Sequence, residues 1–90
     1  MLLLPATVTM REARDTLRML AQALPRESGA VVSVDASALR QVDSSALAVL
    51  LECQRRAQAA GKSFVVNQVP AKLGELARLY GLDALLLPAS

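Results

Sequence analysis

Residues 40–51 read RQVDSSALAVLL, a stretch in which one Asp and two Ser stand directly before an apolar segment. Upstream, AVVSVD at residues 30–35 is apolar and β-branched, which is typical of a buried strand. Downstream, residues 46–60 contain neither Gly nor Pro and favour a helix that ends at Gly61. The three polar residues therefore mark a strand-to-helix junction, where α/β domains present groups to their partners.

The simplest role of Asp43, Ser44 and Ser45 is to cap the helix that follows them. A helix begins with unpaired backbone amides, and an Asp or Ser side chain accepts a hydrogen bond from one of them. One cap needs only one such residue, so three in a row leave at least one hydroxyl available for another role. Function is therefore to be sought at this junction first.

The composition argues against several classes of function. Ninety residues, of which 53% are apolar and 2% aromatic, make one domain with a core of Leu, Val and Ala. Ten basic and eight acidic residues are not clustered by sign, and the pair Arg55 and Arg56 is interpreted as a solvated helix face, so a nucleic-acid partner is not expected. Neither a signal peptide nor a membrane span is predicted, which favours a cytoplasmic protein without membrane insertion.

Catalysis and cofactor binding are not expected either. The chain has no His, which is the usual general base and the commonest metal ligand, and its four glycines form no phosphate-binding motif. The single cysteine, Cys53, excludes an intramolecular disulfide and falls on the apolar side of its helix, so we expect it to be a core residue.

Hydrophobic spacing predicts three helices between short strands. The strands are expected at residues 2–4, 31–35, 64–67 and 85–87. The first helix, capped by Thr7 or Thr9, is expected to bury Met10, Ala13, Leu17, Leu20 and Leu24. The other helices are expected at residues 46–60 and 70–80. This alternation predicts an α/β domain with one mostly parallel sheet of about four strands.

The second helix carries more apolar residues than one buried face requires. The predicted core face consists of Ala46, Val49, Leu50, Cys53, Ala57 and Ala60. Leu47 and Leu51 lie on a flank of the helix, and Ala48 lies beside them on the outer side. Either a neighbouring helix covers this flank, or the flank belongs to a partner-binding surface that begins at the Ser44 hydroxyl.

These features, taken in order, resemble the STAS domain family, named for sulfate transporters and anti-sigma-factor antagonists. The resemblance is carried by the strand VVSVD, the turn DSSAL at residues 43–47 and the segment LARLYGL at residues 76–82, and it covers residues 2–88. It implies one STAS domain over residues 1–90 that works by binding proteins. The implied partner-binding residues are Asp43, Ser44, Ser45, Leu47, Ala48 and Leu51.

Two branches of the family imply different partners. In anti-sigma-factor antagonists a partner kinase phosphorylates the first hydroxyl after the Asp, a position that Ser44 matches. In the STAS subunits of the Mla phospholipid-transport ABC systems, the same position matters for assembly with the ATPase. Ala46 departs from the glycine usual in both branches. Tyr80 directly before Gly81, with LLLP at residues 85–88, resembles the Mla branch, so we expect an ABC ATPase as the partner.

The start of the chain departs from the family pattern. STAS domains usually open with a β-hairpin, and this chain has room only for the second strand of that hairpin, at residues 2–4. Either Met1 is not the true start, or the sheet lacks an edge strand. In the second case residues 2–4 form an exposed edge at which two copies could pair as a homodimer.

Overall fold

The structure, a computed structural model, describes residues 1–86, with side chains as far as Ala84. Its strands are β1 (Leu2–Leu3), β2 (Thr7–Val8), β3 (Val31–Asp35), β4 (Gln41–Val42) and β5 (Ser63–Asn67). Its helices are α1 (Ala13–Ala23), α2 (Ser44–Ala59), α3 (Ala71–Leu79) and the single-turn α4 (Asp83–Leu86), and a 3-10 turn (Leu24–Arg26) follows α1. This order confirms the α/β fold class predicted from the sequence.

The larger sheet is parallel and has β3 at its centre, with β1 and β5 on either side. Alternate residues of these strands are buried: Leu2, Val32, Val34, Phe64 and Val66. They form one hydrophobic core with apolar side chains of the helices, among them Leu20, Leu50 and Leu73. Leu3 and Val31 lie at the alternate positions, whose side chains point to the other face of the sheet, and both are exposed. The core therefore lies on one face of this sheet only.

A second, two-stranded parallel sheet was not predicted. It pairs β2 with β4, Thr7 opposite Gln41 and Val8 opposite Val42. Two residues are too few for an alternating pattern to be visible in a sequence. The pairing brings the segment before α1 next to the segment before α2.

The strand predicted at residues 85–87 is wrong for Leu85 and Leu86, because both belong to the short helix α4; Leu87 lies outside the described residues. A short apolar run does not by itself distinguish a strand from a helical turn. The predicted sheet of about four strands is thus replaced by a sheet of three and a sheet of two.

The helix α1 begins later than its apolar spacing suggests. Met10 lies in the turn before the helix and is 78% exposed, whereas the sequence placed it on the buried face. The predicted cap is also different: Thr9 donates its backbone N–H (3.0 Å) and its hydroxyl (2.5 Å) to Glu12 Oε1. The carbonyl of Thr9 accepts from the amides of Glu12 and Ala13. This is the returning half of a capping box, and it orders the turn at residues 9–12 that leads into α1, whose first residue is Ala13.

The helix α2 ends as predicted, with Gly61 at a φ of +76° beyond it. Its buried face is wider than the predicted one, since Leu47 and Gln54 are buried in addition, whereas Ala60 is exposed. Within the described residues, no helix has both the length and the apolar character needed to span a membrane.

Candidate functional site

The first turn of α2 and the turn before α1 meet at one carboxylate. Asp43 lies between β4 and α2, and its Oδ1 accepts a hydrogen bond from the amide of Ser45 at 2.8 Å. Its Oδ2 accepts from the amide of Met10 at 3.1 Å, and its own amide donates to the carbonyl of Val8 at 3.4 Å. Asp43 is therefore the N-cap of α2, and it also holds the neighbouring turn in place.

These hydrogen bonds keep Asp43 ionised. Its pKa is lowered from the ordinary value, chiefly by the hydrogen bond from the Ser45 amide; desolvation acts in the opposite direction, and the Met10 amide and the Ser45 side chain lower it further. A carboxylate that accepts backbone amides at a helix N-terminus is stabilised in its charged form. Both carboxylate oxygens of Asp43 thus hold backbone amides of the domain, one at the start of α2 and one in the turn before α1.

The hydroxyl of Ser44 is the free group at this junction. Ser44 is the first residue of α2 and is exposed, and within residues 1–86 its side chain makes no hydrogen bond. Ser45 is half-buried and is engaged with Asp43 through its amide. Since Asp43 supplies the cap, the Ser44 hydroxyl is not needed to cap the helix.

One outward line of α2 begins at Ser44. Ala48 is exposed and Leu51 is half-buried, and the spacing of four and then three residues places both on the side of the helix that carries Ser44. We call these three residues the α2 strip. Arg55, four residues further, continues the same line and forms a salt bridge with Glu52, whose Oε2 lies 2.5 Å from its guanidinium.

The fold buries one of the two leucines on the predicted flank, Leu47, and leaves the other, Leu51, partly exposed. Leu47 is only 3% exposed and belongs to the core. Other parts of the domain therefore cover this residue, which was the first of the two alternatives considered for the flank. Leu51 contacts the core but keeps part of its side chain open. Leu50 is 1% exposed, as the predicted core face requires. A helical wheel cannot separate the two flank residues, because it contains no information on where neighbouring elements lie.

Met10 is the residue of this site that sequence reasoning missed. Its side chain is exposed, and its amide donates a hydrogen bond to Asp43, the residue directly before Ser44. The spacing Thr9-x-x-Glu12 fits the capping-box pattern and could have revealed that Met10 lies in the turn at the helix start, ahead of the buried face.

Among the described residues, two features bear on the chemistry of this region. In the described part of the chain, no three His, Cys, Asp or Glu side chains are grouped so that they could hold a metal ion. Cys53 is fully buried, and burial raises the pKa of its thiol to about 11, so the thiol is protonated at neutral pH. Cys53 is a core residue, as its position on the apolar side of α2 predicts.

A family model described as "Mlab, STAS domain" matches residues 2–88, which is nearly the whole chain. No curated protein matches the sequence.

Proposed function

We propose, from the premise that this chain belongs to the STAS domain family, that it is an accessory subunit of an ABC transporter for phospholipids. STAS domains are generally non-catalytic accessory domains, and the matching family model is described as Mlab. In this proposal the chain is cytoplasmic and has no activity of its own. It binds the MlaF-like ATPase subunit of the membrane complex and regulates it.

The α2 strip is the observation that carries the proposal. The Ser44 hydroxyl is exposed and unpaired within the described residues, so a partner can bind it without breaking a contact inside the domain. Ala48 is small enough for a partner backbone to approach closely. Leu51 adds an apolar edge that becomes dehydrated on contact, which favours association.

Met10 extends this surface beyond α2. Its unbranched, polarisable side chain adapts to differently shaped surfaces, and its amide is fixed by Asp43 next to the strip. In the proposed complex Met10 and the α2 strip contact the ATPase together. The carboxylate of Asp43 keeps them side by side, because it accepts hydrogen bonds from the amides of both Met10 and Ser45.

Regulation follows from differential binding. A subunit that binds one conformation of the ATPase more tightly than another shifts the population towards the first, by no more than the difference in binding free energy. No chemistry on this chain is needed for such an effect.

The second candidate is an anti-sigma-factor antagonist controlled by phosphorylation of Ser44. The exposed hydroxyl at a helix N-terminus suits this function too, since the backbone amides there stabilise a phosphate. The Mlab description of the matching family model favours the transporter, and the two functions differ in the partner that they require.

The experiment is a co-purification of the tagged chain with an ABC ATPase and permease complex from the same organism, followed by ATP turnover with and without the chain. We expect a stoichiometric complex and a changed turnover rate. Binding to a small anti-sigma kinase together with no binding to the ATPase would establish the second candidate instead.

A further inference from the structure

A shallow groove between α1 and α2 is bordered by three arginines. Its volume is about 440 Å³, and its lining residues are Arg14, Leu17, Arg18, Ala21, Gln22 and Arg56. The first five belong to α1, and Arg56 belongs to α2. The sequence shows no basic cluster here, because the fold alone brings Arg56 next to the arginines of α1.

Positive charge in this groove is only partly compensated. Arg14 has no carboxylate within salt-bridge distance among residues 1–86. Arg18 reaches Asp15 only at 3.9 Å, between side chains that are 65% and 81% exposed, and such a pair contributes little. Arg56 shares the carboxylate of Glu52 with Arg55.

The arginines stand on both sides of an apolar floor. Arg14 and Arg18 follow each other at an interval of four residues and form one row along α1. Leu17 and Ala21 form the next row and are half-buried, Leu17 against the hydrophobic core. Arg56 borders the floor from α2.

We propose that this groove binds an acidic peptide segment of a partner protein, with apolar side chains on the Leu17–Ala21 floor and carboxylates against the arginines. An arginine binds a carboxylate through paired N–H donors, and here such donors are spread along a line. A linear segment matches this arrangement better than a single phosphate, which needs donors that converge on one point. A membrane surface matches it less well, because no large apolar side chain projects from the groove to enter lipid.

This binding site is separate from the α2 strip. Arg56 and the α1 residues lie on the side of α2 that packs against α1, whereas Ser44, Ala48 and Leu51 face outward. The inference does not depend on an ABC ATPase being the partner at the strip, and the two can fail independently.

The test uses peptides of defined chemistry and the ¹⁵N-labelled chain in NMR titrations. The probe is a short amphipathic peptide of Glu and Leu, compared with versions in which Gln or Lys replaces every Glu. We expect the Glu peptide to shift the amide resonances of Arg14, Leu17, Arg18 and Ala21. We also expect it to bind about tenfold more tightly than the Gln peptide at low salt and to weaken as salt screens the charges.

Variants connect the binding to the groove. R14E with R18E is expected to weaken binding of the Glu peptide by about tenfold or more, and R14Q with R18Q by less. Both arginines are surface residues, and thermal melts confirm that the variants remain folded. The matched control R26E with R78E makes the same change of net charge at two exposed arginines that do not line the groove, and it is expected to leave binding unchanged.

Four results would overturn the inference. Equal affinity for the Glu and Gln peptides would remove the role of charge, and shifts confined to other residues would place the site elsewhere. Inorganic phosphate that reproduces the same shifts at the same concentration would make the groove a phosphate site. Arginine-dependent binding to phosphatidylglycerol vesicles without binding of the Glu peptide would make it a membrane-binding face.

Discussion

The Oδ2 atom of Asp43 accepts a hydrogen bond from the backbone amide of Met10 at 3.1 Å, so one side chain connects the start of α2 to the turn before α1. The same carboxylate caps α2 through the amide of Ser45. The two helices therefore begin side by side, and the exposed Met10 is held close to the exposed Ser44. A change at Asp43 is expected to affect both stability and the arrangement of the proposed binding surface.

Asp43→Ala should lower the melting temperature, because the amides of Ser45 and Met10 both lose their acceptor. Asp43→Asn should have a smaller effect, since its amide oxygen still caps α2 while its NH₂ group cannot accept from Met10. Thermal melts measure the ranking, and Ser44→Ala is the control. Equal stability of Asp43→Ala and wild type would show that the cap is unimportant.

Stability should decrease in acid because of Glu52, whose pKa is lowered from 4.5 to about 2 by hydrogen bonds from Arg55 and then Arg56. A carboxylate whose pKa is lower in the folded state stabilises the fold above its unfolded pKa and loses this contribution as pH falls through the folded value. The loss is therefore expected between about pH 5 and pH 2, and Glu52→Gln should flatten this part of the curve.

The measurement is the melting temperature at a series of pH values from neutral to 2 for wild type and Glu52→Gln. Because Glu52 is partly exposed to solvent and its arginine partners are exposed, high salt should reduce the difference between the two proteins. Asp43 and Glu12 also have lowered pKa values, so a decrease in acid remains in the variant. Identical curves for the two proteins would contradict the role assigned to Glu52.

Ser44→Asp should weaken binding to the ATPase while changing the free energy of unfolding by less than about 1 kcal/mol. The helix N-terminus favours the added charge and the neighbouring Asp43 carboxylate opposes it, so the two effects on folding nearly cancel. Affinity measurements beside thermal melts test this, with Ser44→Ala to separate loss of the hydroxyl from gain of charge. Large-scale unfolding by Ser44→Asp would make Ser44 a structural residue.

The strand β3 and the helix α2 could be predicted from the sequence because each has a strong local pattern. β-branched residues bounded by Gly29 and Asp35 mark β3, and an unbroken run of helix formers that stops at Gly61 marks α2. The region of the N-cap could be predicted for the same reason, since the polar run at residues 43–45 stands directly before these helix formers.

The parts that could not be predicted depend on contacts between distant segments. β4 exists because it pairs with β2, and neither strand has a pattern of its own. Leu47 and Leu51 lie four residues apart on one flank of the helical wheel, and only the packing around α2 buries Leu47 and leaves Leu51 half-buried. The cluster of Arg14 and Arg56 likewise arises only when α1 packs against α2.

The last prediction separates binding from folding on α2 through neighbouring leucines. Leu51→Glu should abolish or strongly weaken binding to the ATPase, because the partner would have to bury an unpaired charge, which costs several kcal/mol. In the free domain the carboxylate of Leu51→Glu can reach water, so the loss of partial packing should reduce stability by only about 1 kcal/mol. Leu50→Glu places the same charge in the core, where the leucine is 1% exposed, and should unfold the domain.

Three further variants make this comparison decisive. Cys53→Ala removes a buried sulfur from the core face and should cost about 1 kcal/mol of stability while leaving binding intact, which shows that a modest loss of stability does not by itself prevent binding. Ala48→Glu adds a charge to the strip at an exposed position, and Ala59→Glu adds the same charge at an exposed position near the other end of α2. We expect Ala48→Glu to weaken co-purification with the ATPase and Ala59→Glu to leave it unchanged, with both proteins melting close to wild type. If Leu51→Glu melts as badly as Leu50→Glu, and Ala48→Glu binds as well as Ala59→Glu, Leu51 is an ordinary core residue and the partner binds elsewhere on the domain.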